Sequence, residues 1–345
     1  MTDVTDMTDV TDVIDATDVI DAADVADLAD VTDMADYRVA LCEQNSNRFL
    51  VYGRTETAWN NTTADWVFDP GNSRTPWNNP FEIRFRKVGS ATYAFMTAGQ
   101  PGNGRAGAVK VMGNGSRLGY RHLCWQASIP TYPHSIEHIP GRNVVVVACS
   151  HGRGQKVGEI RVYGPSGSGW GATPVQIING AALGKLVEPH GVLWDDQANV
   201  LRVIGGPVLR TYEVRGRGRA ARLRKVGADI DLRRDDDGAV RAGKHYGHDV
   251  QPDYSDAGRL VITDSNGVYA VDRRTRRKTD LRVGGEFALV KSFVIHPSGQ
   301  WMWTRDVTAS DSVYGGEVVR FSTGGDRRKS LAQIYKARIV TTRFH

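Results

Sequence analysis

Four segments of this 345-residue chain repeat one pattern: a polar residue or histidine, an apolar run, a turn, then a second apolar run. They are His134-Ser-Ile-Glu-His-Ile-Pro with 143–150, His190-Gly-Val-Leu-Trp-Asp with 200–205, His248-Asp-Val-Gln-Pro-Asp with 259–265, and Ser292-Phe-Val-Ile-His-Pro with 300–306. Their starts lie 56, 58 and 44 residues apart. Each unit continues with a third apolar run (159–163, 208–214, 267–272 and 316–322) and a weaker fourth. Runs of this length, rich in Val, Thr, Tyr and Trp and bounded by Gly and Asn, read as strands. Four antiparallel strands per repeat is one propeller blade, and radial repetition of blades leaves few open sheet edges.

The expected fold is therefore all-β, a β-propeller. Segments 82–88, 92–99, 108–112 and 122–128 supply a further blade. Segments 37–44 and 48–52 look like the second and third strands of a blade lacking its innermost strand, which the C-terminal run 338–344 would provide. Closing the ring in this way gives six blades with a split first blade. Seven stays open, because 55–77 is long enough to hide strands. A two-sheet sandwich is the rival, and it does not explain the repeat.

Residues 1–36 are twelve triplets that each end in Asp, without a single Lys or Arg. A three-residue period gives neither a helix stripe nor a strand face, so this acidic segment is expected to be disordered, with 37–345 forming the propeller domain. Setting its twelve aspartates aside leaves 44 basic and 27 acidic residues, a net +17 on the body. No apolar run is long enough for a membrane span, and the first thirty residues lack the pattern of an export signal. Cys42, Cys124 and Cys149 sit in strand-like runs without metal or disulfide spacing, and are expected to be buried thiols.

In an antiparallel blade the start of the first strand and the end of the second meet on one face. That face should gather Glu82, His134, His190, His248 and Lys291 from first strands, and Glu43, Gln44, Asn45, Ser150, His151, Asp264, Asn266, Arg305 and Asp306 from second strands. Three histidines at equivalent points of consecutive blades admit three readings. They could hold a divalent metal ion at the central channel, with a fourth ligand from water, Gln or a carboxylate. They could act as general acid or base. They could also simply cap the neighbouring blade's backbone. Trp59, Trp66 and Trp77, in a loop rich in Asn, Thr and Pro, suit sugar stacking and blade packing equally. His122, His138, His245 and His296 read as packed or surface residues. The basic runs 215–225 and 273–278 lack interleaved aromatics, which argues against nucleic acid.

The segments Cys42-Glu-Gln-Asn-Ser-Asn-Arg, Pro133-His-Ser-Ile-Glu, Ser150-His-Gly, Pro189-His-Gly-Val-Leu-Trp-Asp, Gly247-His-Asp and Val290-Lys-Ser-Phe resemble an uncharacterised propeller family of bacteria and fungi. That family is distantly similar to propeller enzymes that cleave rhamnose-glucuronate linkages in plant gums. The resemblance implies a lyase acting on uronate-containing glycans by β-elimination. His134, His190 or His248 would then be the base, and Lys291 or Arg305 the clamp on the uronate carboxylate. Gln44, Asn45, His151 and Glu82 are the further candidates for substrate binding. The alternatives are a non-catalytic propeller that binds a glycan or protein on the same face, and a glycosidase. The partner expected is an acidic glycan or oligosaccharide, met by a monomer away from nucleic acid and membrane. Family members are often exported, which leaves the localisation open.

Overall fold

The computed structural model describes residues 36–71, 76–151, 158–167, 169–235, 238–243, 245–306 and 315–345. The acidic segment expected over residues 1–36 falls, apart from Asp36, outside the described residues. Six four-stranded antiparallel arrays carry the repeat, numbered here as blades I to VI. Blade II is Glu82–Val88, Ala91–Ala98, Gly104–Lys110 and Leu123–Ile129. Blade III is Tyr132–Ile139, Val144–Ser150, Glu159–Tyr163 and Gln176–Asn179. Blade IV is Pro189–Asp195, Val200–Gly205, Val208–Arg215 and Arg222–Lys225. Blade V is Asp249–Pro252, Arg259–Thr263, Gly267–Asp272 and Lys278–Val283. Blade VI is Val290–Ile295, Trp301–Arg305, Val318–Phe321 and Arg327–Arg328.

Blade I is split. Arg38–Glu43, Arg48–Gly53 and Trp66–Asp69 come from the start of the domain, and Ile334–Ile339 from its end forms the innermost strand. The pairing runs Val39↔Ile339 through Cys42↔Lys336. The closing strand thus lies about four residues earlier than the expected 338–344. Ile334, Ala337 and Ile339 all pack into one cluster with blade VI, so its register follows burial. The loop 55–77 hides one strand, Trp66–Asp69, which completes blade I and leaves six blades. A short segment, Arg117–Gly119, pairs parallel to it on the outside.

Among the described residues the core comprises six apolar clusters, each shared by two adjacent blades. Period-two alternation explains this arrangement. Val39 and Leu41 of blade I face blade VI, whereas Ala40 and Cys42 face blade II. Because both faces of a blade are covered, its second strand can read as an unbroken apolar run, as in Val144 to Cys149, all fully buried. Trp59, Trp66 and Trp77 are buried in these clusters, which resolves them as packing residues rather than sugar platforms. Cys42 and Cys149 are buried thiols, but Cys124 is exposed, a correction to the sequence expectation.

Along the axis the six inner strands bring charged side chains together. Arg338 of blade I makes paired hydrogen bonds to Glu82 of blade II (2.7 and 2.8 Å) and to Asp249 of blade V (both 2.8 Å). Deeper, Arg86 forms a bidentate pair with Glu137 at 2.8 Å, and Arg84 donates to the Val192 carbonyl at 2.9 Å. The residual space here is about 10 Å³, no more than one water needs. At the far end the Phe344 ring lies 4.2 Å from the Arg86 guanidinium, and His345 reaches Asp196 of blade IV. The C-terminal residues therefore pack over the Arg86 end of the axis, away from the starts of the inner strands.

Candidate functional site

Four inner strands carry a β-bulge near their start. The extra residue is Tyr335 in blade I, His134 in blade III, His190 in blade IV and Lys291 in blade VI. In blades II and V the equivalent residue directly precedes the inner strand. Phe81 and His248 donate their amides to Thr97 and Thr263 at 2.8 Å. A bulge turns one side chain out of the strand's alternation and re-aims it, a device common beside active sites. Here it produces a ring with one residue per blade.

Around that ring the contacts follow blade order. Tyr335 and Phe81 have centroids 5.3 Å apart, Phe81 and His134 4.7 Å, His134 and His190 4.1 Å, and His190 and His248 5.6 Å. The Lys291 Nζ then lies 3.4 Å from the His248 Nε2. His134 also meets the Tyr335 hydroxyl across the axis, with Nδ1 at 3.0 Å. Beneath the ring, the fully buried Lys336 ammonium donates to Glu82 and to the His134 carbonyl, both at 3.2 Å, and to the His190 carbonyl at 3.4 Å. The expectation that His134, His190 and His248 converge on one face is met.

Charge at the ring is set by burial and by these cations. Burial pushes His134 and His248 well below the ordinary imidazole range, helped by each other's neighbour His190 and by Lys291 and Lys336. Burial takes His190 down to about 3, against the hydrogen bond between its Nδ1 and the Glu188 carbonyl at 2.6 Å. All three rings are therefore neutral near pH 7, where they donate and accept hydrogen bonds but are weak bases. Burial moves the Lys291 ammonium down to about 8, with Asp306, 4.0 Å away, opposing and Lys336 assisting. Among the three histidines and the lysine of the ring, Lys291 thus titrates nearest to neutral pH.

A metal site would need three converging ligands. Among the described residues no three His, Cys, Asp or Glu side chains are placed to hold a metal ion. His134 and His190 stack with their planes 26° apart. The Nδ1 atoms of both are already engaged.

Glu82 lies below the ring. It is fully buried and lies one residue deeper than the ring, equivalent to Ser135, Asp249, Ser292 and Lys336. Burial alone would raise its carboxyl, but Arg338, Lys336 and Arg84 hold it well below the usual range, so it is an ion-pair partner inside the axis rather than a substrate contact. Gln44 and Asn45 send their side-chain amides to the Pro80 and Leu331 carbonyls, where they brace loops beside the ring. Arg305 ends its strand opposite Val290, the residue before Lys291, and its buried Nε has no hydrogen-bond partner among the described residues. His151 lies 2.5 Å from Glu188.

Glu188, Tyr335 and Phe81 were not read from the sequence. Glu188 stands at φ 51°, a strained left-handed conformation for a non-glycine residue, and immediately precedes the Pro189-His190 start of blade IV. Burial raises its carboxyl, and His151 opposes that rise. An acid two residues before a ring histidine was the available signal. Aligning Phe81-Glu82 with His248-Asp249 would have placed Phe81 in the ring and Glu82 below it.

No family model matches the chain, and no curated protein is significantly similar to it. Among solved structures, a candidate 6-phosphogluconolactonase from Bacteroides fragilis is 13% identical, with 90% of this chain and 99% of that chain covered and a TM-score of 0.52. A second candidate 6-phosphogluconolactonase, from Bacteroides uniformis, is 10% identical, with 88% and 99% covered and a TM-score of 0.54. A chain of a nidogen/laminin complex is 13% identical, with 89% and 99% covered and a TM-score of 0.53. Likeness at these identities carries the propeller fold and not an activity.

Proposed function

We propose that the histidine face binds an acidic sugar and cleaves a uronate-containing glycan by β-elimination, with Lys291 as the base. The observation that carries this reading is the placement of the buried Lys291 amine against His248, in a ring of neutral imidazoles at one end of the axis. The net +17 of the body favours an anionic ligand. Arg305 and the imidazole N–H groups would hold the uronate carboxylate, spreading the charge that develops as the adjacent carbon loses its proton. Lys291 takes the C5 proton, the C–H electrons become the C4=C5 double bond, and the C4–O bond breaks. The departing oxygen takes a proton from Glu188, whose raised carboxyl suits that role. The roles given to base and clamp are thus exchanged relative to those implied by the resemblance.

Incubation with glucuronate-containing gums should raise ultraviolet absorbance as the unsaturated product forms, with a rate that climbs through about pH 8 as Lys291 loses its proton. Lys291→Met should abolish turnover and retain binding. Absence of an absorbance rise with every uronate polymer tried would sink the proposal. The named activity of the two Bacteroides neighbours favours a second reading, hydrolysis of a sugar lactone on the same face. That reaction releases acid without a chromophore, so pH-stat titration alongside absorbance separates the two.

A further inference from the structure

On the face opposite the histidine ring, three turns meet where blade VI closes onto blade I. They are the turn between the first two strands of blade VI, the turn between its last two strands, and the segment after Arg48–Gly53 in blade I. Between them lies a cavity of about 460 Å³, lined by Arg54, Thr55, Ser298, Thr323 and Arg327 together with bare glycine backbone. No apolar side chain lines it, so a hydrophobic ligand gains nothing there.

The two arginines define its chemistry. Arg54 is only 4% exposed, and its guanidinium hydrogen-bonds to the Thr323 and Gly325 carbonyls at 2.9 and 3.2 Å. Arg327 donates its Nε to the Arg54 carbonyl at 3.0 Å, and its Nη1 to the carbonyls of Gly324, Gly325 and Asp326. These bonds fix the two guanidiniums side by side through neutral acceptors. Burial and the neighbouring Arg327 lower the Arg54 guanidinium from its ordinary value against Tyr37 and Asp326, and the Phe321 ring lies 3.7 Å from it. The Arg54 Nε, also buried, has no hydrogen-bond partner among the described residues. At the rim the Thr55 hydroxyl donates to the Asp36 carboxylate at 2.9 Å, so the mouth already engages an anionic oxygen. Gly324, at φ 73°, keeps the floor clear, since a Cβ there would stand 2.9 Å from the Arg54 Nη2.

We propose that this cavity is a binding site for a phosphate ester on a small polar carrier, with the phosphate between Arg54 and Arg327. Paired guanidiniums match tetrahedral oxyanions through parallel N–H donors. The cavity is larger than an inorganic phosphate and has the size of a phosphorylated monosaccharide, whose hydroxyls the lining Ser and Thr side chains would meet. A ligand there touches both blades at the ring closure, so binding must stabilise the fold. The site lies on the opposite face from the proposed lyase chemistry and does not depend on it.

The test is thermal unfolding of the full chain in inorganic phosphate, glucose 6-phosphate, glucose, or sodium chloride at matched ionic strength. The wild type should gain on the order of 5 °C in Tm at saturating phosphate, and reach that gain at lower concentrations of glucose 6-phosphate. Glucose and chloride should give no such shift. Arg327→Gln should lose the response to both phosphates. Ser298→Asp, which sets a carboxylate at the exposed lip, should also lose it while unfolding normally in buffer. Equal shifts with chloride, or an undiminished response in both variants, would overturn the site.

Discussion

Acidification tests the neutral histidine ring directly. In the unfolded chain an imidazole titrates near 6.5, whereas in the folded protein His190 titrates at about 3 and His134 and His248 lie well below the ordinary range. Between those limits the unfolded chain binds more protons than the folded one, so stability rises with pH and is lost as pH falls below 6.5. For His190 the loss between pH 7.5 and pH 5 is about 2 kcal/mol, and His134 and His248, lowered in the same direction, add to it. A domain is commonly stable by about 5–15 kcal/mol, so the effect should dominate the acid limb. The groups that face the ring, Lys291, Lys336 and the two neighbouring imidazoles, all oppose protonation. The assay is urea unfolding followed by tryptophan fluorescence at pH 7.5, 6 and 5, for the wild type and His190→Gln. The variant should show a pH dependence shallower by about 2 kcal/mol over the same interval. Superimposable pH profiles, or ring histidines titrating near 6.5 by NMR, would refute the reasoning.

Other consequences follow from the axis and the surface. Arg338→Met leaves Glu82 and Asp249 buried without their main cation, and should cost about 3–5 kcal/mol in urea unfolding. Removing residues 340–345 uncovers Arg86 by taking away the Phe344 ring, and should lower stability by about 1–2 kcal/mol, whereas removing 333–345 takes the closing strand and should prevent cooperative folding in calorimetry. A thiol reagent should modify one cysteine, Cys124, in the native protein, and Cys42 and Cys149 only after unfolding. Because no three His, Cys, Asp or Glu side chains among the described residues are placed to hold a metal ion, dialysis against a chelator should leave the melting temperature unchanged.

The sequence by itself determined the blade repeat, the split first blade and the face on which His134, His190 and His248 collect. These are consequences of period-two alternation and strand spacing, which are local properties that a chain writes out in order. It could not decide what those histidines are. Whether they titrate, bind metal or merely pack depends on the bulge that re-aims them. It depends equally on Lys336, Arg338 and Tyr335, delivered from a strand about two hundred residues away in the case of His134. The same limit explains Glu82, whose acidic side chain suggested a ligand contact until the register put it one layer into the axis between Arg338 and Lys336. Burial and charge are sums over neighbours that only ring closure brings together. Closure turned three candidate bases into neutral hydrogen-bonding rings beside a lysine that titrates at about 8.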